Sequence, residues 1–244
     1  MPRNRVRFGG LALAPMLVAV AGGCGRTTPG GSPTEVVAAA PGATLAAGPA
    51  QVTIERFGLR AEGVVDLARA ATRLTVTDAT TRGAAPVEVL AIGDRAWTRP
   101  VGATTWDAAD PEASGLLSLP GGLRSGDPRA ALELVRGASR VTVFGGLQVQ
   151  STSTVRYDVF SDPLAASRAA APPIAPRLRS LAAQVSHSIR VDVYVDAERR
   201  IRRLEVPEDL LSATPVTRPD TNRVSATIDF VRFGVDPGDL SPPT

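Results

Sequence analysis

Ile189-Arg190-Val191-Asp192-Val193-Tyr194-Val195-Asp196-Ala197-Glu198-Arg199-Arg200-Ile201-Arg202-Arg203-Leu204-Glu205-Val206 is the stretch whose reading decides the fold. In an extended chain successive side chains point to opposite faces. Ile189, Val191, Val193 and Val195 therefore share one face, and Arg190, Asp192 and Tyr194 the other. The turn Asp196-Ala197-Glu198-Arg199 leads into a second strand, Arg200–Val206. Two strands joined by so short a turn run antiparallel. One face of the pair is apolar and meets a core; the other is charged and meets solvent.

The same period of two recurs on either side. Upstream, strands are expected at 51–57, 59–67, 73–78 and 87–92, with Pro86 opening the last and Gly93-Asp94 turning the chain into 95–99. Further strands fall at 140–144, 147–150 and 153–160. Downstream, Asn222–Phe233 carries the apolar stripe Val224, Ala226, Ile228 and Phe230. Helices are few. Asp127 to Gly137 is the clearest, with Asp127 as cap, Pro128 in the first turn and Gly137 at the stop. A short helix is expected after Pro176. About ten strands and one or two helices make an α+β domain: one large curved antiparallel sheet whose apolar face is covered by a few short helices. That domain spans 50–235, and the Pro/Gly-bearing tail 236–244 is expected to be disordered. Only 4% of the chain is aromatic, so its core must be built from Val, Leu, Ile and Ala.

The N-terminus reads differently. Arg3, Arg5 and Arg7 precede an apolar run from Phe8 to Val20, followed by Ala21-Gly22-Gly23-Cys24. This is the layout of an export signal, 1–23. The run is too short and too interrupted, by Gly9, Gly10 and Pro15, for a good membrane-spanning helix. Cys24 is the only cysteine, so no disulfide can form within the chain. Residues 25–35 are rich in turn formers and read as a flexible tether; 36–49 are Ala/Gly-rich and could continue it or form a poor helix. On the tether reading of 24–49, a chain beginning near Ala47 keeps its melting midpoint. The chain has 27 basic residues, all arginine, and 24 acidic ones; the first 23 residues hold three arginines and no acid, so the remainder is balanced. A balanced charge argues against a nucleic-acid partner.

Two resemblances add to this reading. Cys24, placed just after small residues, resembles the lipobox of bacterial lipoproteins, which implies cleavage before Cys24 and lipid attachment to its thiol. Plain secretion is the competing reading, and it leaves a free thiol in an oxidising compartment. Beyond the anchor, the order of pieces resembles the actinobacterial LppX/LprAFG lipoproteins, which share a fold with the LolA/LolB lipoprotein carriers. The pieces are Gly63–Asp66, a hairpin into Trp97 followed by Trp106, the Asp127–Leu134 helix, a Gly145-Gly146 hairpin into Thr154–Tyr157, and the pair 191–196 and 201–204. The resemblance implies a half-open β-barrel around helices, on the outer face of the cell membrane. It also implies a lipid or acylated glycolipid held in an apolar cavity, with an envelope protein as a further partner.

Candidate lining residues are Leu74, Val76, Val87, Val89, Val141, Val143, Ile189, Val191 and Val193 on the sheet, with Leu132 and Val135 on the helix. Any one of them is ordinarily a core residue; the set on a wide sheet points to a cavity. Catalysis finds little support. His187 is the only histidine, its neighbours Ser186 and Ser188 cannot form a triad by adjacency, and no Gly-x-Ser-x-Gly occurs. One histidine and one acylated cysteine make a poor transition-metal site. Asp192 and Asp196 share a strand face with Arg190 and read as ion pairs. The expectation is a lipid-binding, non-enzymatic envelope lipoprotein without cofactor; the alternative is a protein-interaction or sensor lipoprotein with the same fold and a filled core.

Overall fold

The structure is a computed structural model that describes residues 29–56, 58–93, 95–109, 118–119, 123–124, 128–185, 188–207 and 224–243. The signal segment, Cys24, Phe57, Asp94, Asp127 and His187 lie outside the described residues. In chain order come α1 (Pro33–Ala46), β1 (Ala50–Arg56), β2 (Leu59–Asp66), β3 (Ala71–Asp78), β4 (Val87–Ile92), β5 (Arg95–Pro100) and β6 (Asp107–Ala109). A two-stranded pair, β7 (Ser118–Leu119) and β8 (Leu123–Arg124), precedes α2 (Pro128–Val135). Then follow β9 (Ala138–Val149), β10 (Thr152–Ser161), α3 (Pro163–Ala169), α4 (Ala175–Gln184), β11 (Ile189–Val195), β12 (Ile201–Pro207) and β13 (Val224–Phe233).

Among the described residues eleven strands form one curved, unclosed antiparallel sheet, ordered β6-β5-β4-β3-β2-β1-β13-β12-β11-β10-β9. Strands consecutive in sequence are neighbours within β1–β6 and within β9–β13, and the pairing of β13 with β1 joins the two runs. One row of paired residues crosses ten strands: Val143, Tyr157, Val193, Leu204, Ile228, Ile54, Ala61, Val76, Val87 and Pro100. No member of this row is charged. The register therefore aligns the apolar face of every strand and makes the concave side one continuous surface.

Three expectations need correction. Gly145-Gly146 is not a hairpin: β9 runs through it, and the register shift opposite Arg156 and Tyr157 marks a bulge there. Gly145 has φ +105°, which an L side chain rarely adopts, so the glycine serves the bulge. The turn lies instead at Gln150 and Ser151, with φ of 48° and 65°, the left-handed pair of a two-residue hairpin. Second, the tether does not reach residue 49. Residues 33–46 form α1, started by a capping box in which the Ser32 N–H donates to Glu35 Oε2 at 2.8 Å and the Glu35 N–H to Ser32 Oγ at 3.3 Å. Val36, Val37, Ala40, Pro41 and Thr44 are buried against the sheet, and that apolar burial is why the segment docks. Third, residues 235–243 take no helix or strand, yet Val235 and Asp236 line one hollow on the convex face and Asp239, Ser241, Pro242 and Pro243 another.

Candidate functional site

The helices sit in the concavity. α1 packs against β9, β11 and β12, and α2 against β10, α1 and α3. Together with the sheet they enclose a single apolar cluster. Leu74, Val76, Val89, Leu132, Val135, Ile189, Val191 and Val193 all belong to it, each at most 5% exposed. Val141 packs at its border. The other two candidates fall outside: Val87 is half-buried, and Val143 is 46% exposed. The reason is position. Val143 and Val87 stand near opposite ends of the ten-strand row, where the edge strands β9 and β6 approach. The middle of the row is covered and its ends are not.

Several interior residues escaped the sequence reading. Val36, Val37 and Ala40 of α1, Ile174 before α4, and Leu178 and Leu181 within it are all at most 2% exposed. Ser32-Pro33-Thr34-Glu35 was the visible signal for α1. Thr44 is the polar member of this interior. Its hydroxyl donates to the Ala40 carbonyl at 2.7 Å and accepts the Ile201 N–H at 2.8 Å, tying α1 to β12.

The convex face is a lattice of ion pairs. Arg156 binds Asp192 at 2.6 Å, Arg190 binds Asp158 at 2.9 Å, and Arg203 grips both oxygens of Asp229 at 2.6 and 2.7 Å. Tyr194 donates to Glu205 at 3.0 Å. Burial, with the Glu205 charge beside it, pushes the Tyr194 hydroxyl up to about 12. Asp196, 1% exposed, accepts from Arg200 at 2.9 Å and Arg202 at 2.7 Å. Asp192 and Asp196 are thus both committed to arginines, and neither has the free carboxylate partner that paired-acid hydrolysis uses. Among the described residues no group of three His, Cys, Asp or Glu is placed to hold a metal ion. No described helix is long and apolar enough to cross a membrane.

An unclosed antiparallel sheet curved around short helices, apolar within and ion-paired without, defines the class of protein to which this architecture corresponds. Solved structures share it, two mycobacterial ones among them. LprF from Mycobacterium bovis superposes with a TM-score of 0.52 at 12% identity, over 88% of this chain and 100% of its own. The lipoprotein LppX from Mycobacterium tuberculosis superposes with a TM-score of 0.50 at 12% identity, over 85% of this chain and 99% of its own. At this identity the likeness is one of fold, and it is the fold that the sequence resemblance implied. No protein-family model matches the chain, and no curated protein matches it in sequence.

Proposed function

We propose that the chain is an exported, lipid-anchored envelope protein whose domain binds a lipid or acylated glycolipid by its acyl chains, without catalysis. The observation that carries this reading is the uncharged row across ten strands, left open at Val143 and Val87. An acyl chain laid along such a surface gains about 0.8 kcal/mol per methylene removed from water. A sheet that stays unclosed offers a way in along its edge. Cys24 supplies the anchor on this reading, and the balanced charge leaves lipid, membrane and protein as the partners.

A second reading, a protein-interaction or sensor lipoprotein, is favoured by one observation: Leu132, Val135, Val191 and Val193 are at most 1% exposed, as in a filled core. Native mass spectrometry of the full chain, purified from its own membrane, separates the two. A lipid adduct beyond the anchor itself is expected, and Val143→Asp should remove it. Because Val143 is 46% exposed, that change costs the fold about 1 kcal/mol, the span of strand preference, which a typical domain survives. A protein that carries no adduct under any lipid condition supports the filled-core reading instead. Separately, Cys24→Ala should shift the protein out of the membrane fraction; processed protein that stays in the membrane without Cys24 is the result against the anchor.

A further inference from the structure

We propose that the convex face carries a groove for extended peptide segments in which an acidic residue precedes a pair of prolines, and that the chain's own residues 239–243 are its resident ligand. The groove lies on β3, β4 and β5, on the face turned away from the helices. Its floor is Leu90, 3% exposed although it points out of the concavity. Its wall is Trp106, with the Arg99 guanidinium 4.3 Å from the ring centroid and that of Arg73 at 5.9 Å. Glu88 bonds both arginines, Arg73 at 3.0 Å, so two cations face one anion and the wall keeps one positive charge over.

The tail brings what this wall lacks. The Val235 N–H donates to the Pro49 carbonyl at 3.3 Å, and from there the chain crosses the convex face without joining a strand. Asp239, Ser241, Pro242 and Pro243 line the groove together with Trp106, and about 520 Å³ stays open between the lining residues. The Asp239 carboxylate accepts the Ser241 N–H at 2.9 Å, which turns the chain into the two prolines. That bond first, and the Arg73 charge after it, holds Asp239 below the usual carboxylate range.

The chemistry is that of proline-segment recognition. Prolyl rings lose little conformational freedom on docking and pack flat on an indole, while a guanidinium fork reads a neighbouring carboxylate. A groove that holds this chain's Asp-Leu-Ser-Pro-Pro in cis can hold a partner's segment of the same kind in trans. The tail then competes at the millimolar effective concentration of a short tether.

The test uses a chain ending at Val235 and a fluorescent peptide with the sequence of residues 236–244. The shortened chain should bind the peptide, and the intact chain at least about tenfold more weakly, because its tail occupies the groove. Trp106→Ala combined with Arg99→Glu in the shortened chain should abolish binding. Failure of the folded, shortened chain to bind overturns the proposal, as does binding that survives the double change. Should the shortened chain not fold, the intact chain decides: with Cys24→Ala and a dye on Thr244→Cys, Trp106→Ala should free the dye's rotation. Unchanged anisotropy overturns the proposal.

Discussion

Thr44→Val asks, with a change of a single atom, whether α1 belongs to the domain. Valine keeps the shape of threonine and adds a methyl in place of the hydroxyl, so area burial alone predicts a neutral or slightly stabilising effect. The hydrogen bonds predict otherwise. Thr44 is 0% exposed, and its hydroxyl is the acceptor for the Ile201 N–H. Without it that N–H stays buried and unpaired, at a cost of about 1–3 kcal/mol. In a domain of this size the melting point falls by roughly 2–4 °C for each kcal/mol. Thr44→Ser, which keeps the hydroxyl, is the control and loses about one methyl's worth of burial. Urea unfolding followed by circular dichroism gives both free energies on the full chain. A neutral or stabilising Thr44→Val refutes the docked helix. The cruder version removes α1 by starting the chain at Ala47. Val36 and Val37, at most 1% exposed, together contribute about 3–6 kcal/mol of burial as an upper figure, a large part of a typical 5–15 kcal/mol stability. A clearly lowered midpoint is expected, and an unchanged one restores the tether.

Tyr194 has its hydroxyl raised from 10 to about 12. Between those values the unfolded chain loses the proton that the folded chain keeps, so stability falls as pH rises from 10 to 12; Tyr194→Phe should flatten that part of the profile, and an unaltered slope counts against it. Gly63→Ala should destabilise by about 1–3 kcal/mol or more, because a Cβ would lie 2.0 Å from the Arg73 carbonyl oxygen and 2.9 Å from Leu74 Cα, and backbone must move; an unchanged melting point removes the close approach of β2 and β3. Val191→Trp, at a side chain 1% exposed, separates empty from filled interiors. A filled one must be overpacked, costing about 1–3 kcal/mol, whereas a roomy one accepts the ring and loses its lipid.

The face of each strand could be read from sequence, as could the helix that brings Leu132 and Val135 onto it, but the extent of the cover could not. The period of two in Ile189–Val195 assigned Val191 and Val193 to the apolar side, and the structure pairs Val193 with Tyr157 on one flank and Leu204 on the other. Periodicity is a local signal, however. It assigned Val143 and Val193 to the same face but could not tell that one is 46% exposed and the other 0%. That difference depends on where helices from elsewhere in the chain lie. That Asp192 and Asp196 form ion pairs was legible, but the Arg156 partner of Asp192 was not, for a like reason: the two are 36 residues apart, and only the register of β10 on β11 brings them together.

α1 shows the same limit in its sharpest form. Its interior holds Pro41 and Gly42, the residues least suited to a helix, and its exposed side, with Ala38 and Ala39, contrasts little with the buried one. Propensity and pattern both argue against it, and only the capping box at Ser32 and Glu35 argues for it. The helix therefore owes its stability to what it touches: the Ile201 N–H held by Thr44, and the apolar surface of β9, β11 and β12. It is also the first described element after the expected anchor. The described helix that follows the proposed anchor most closely is thus one whose folding depends on the concave face, so a ligand that takes the surface of β9, β11 and β12 competes with α1.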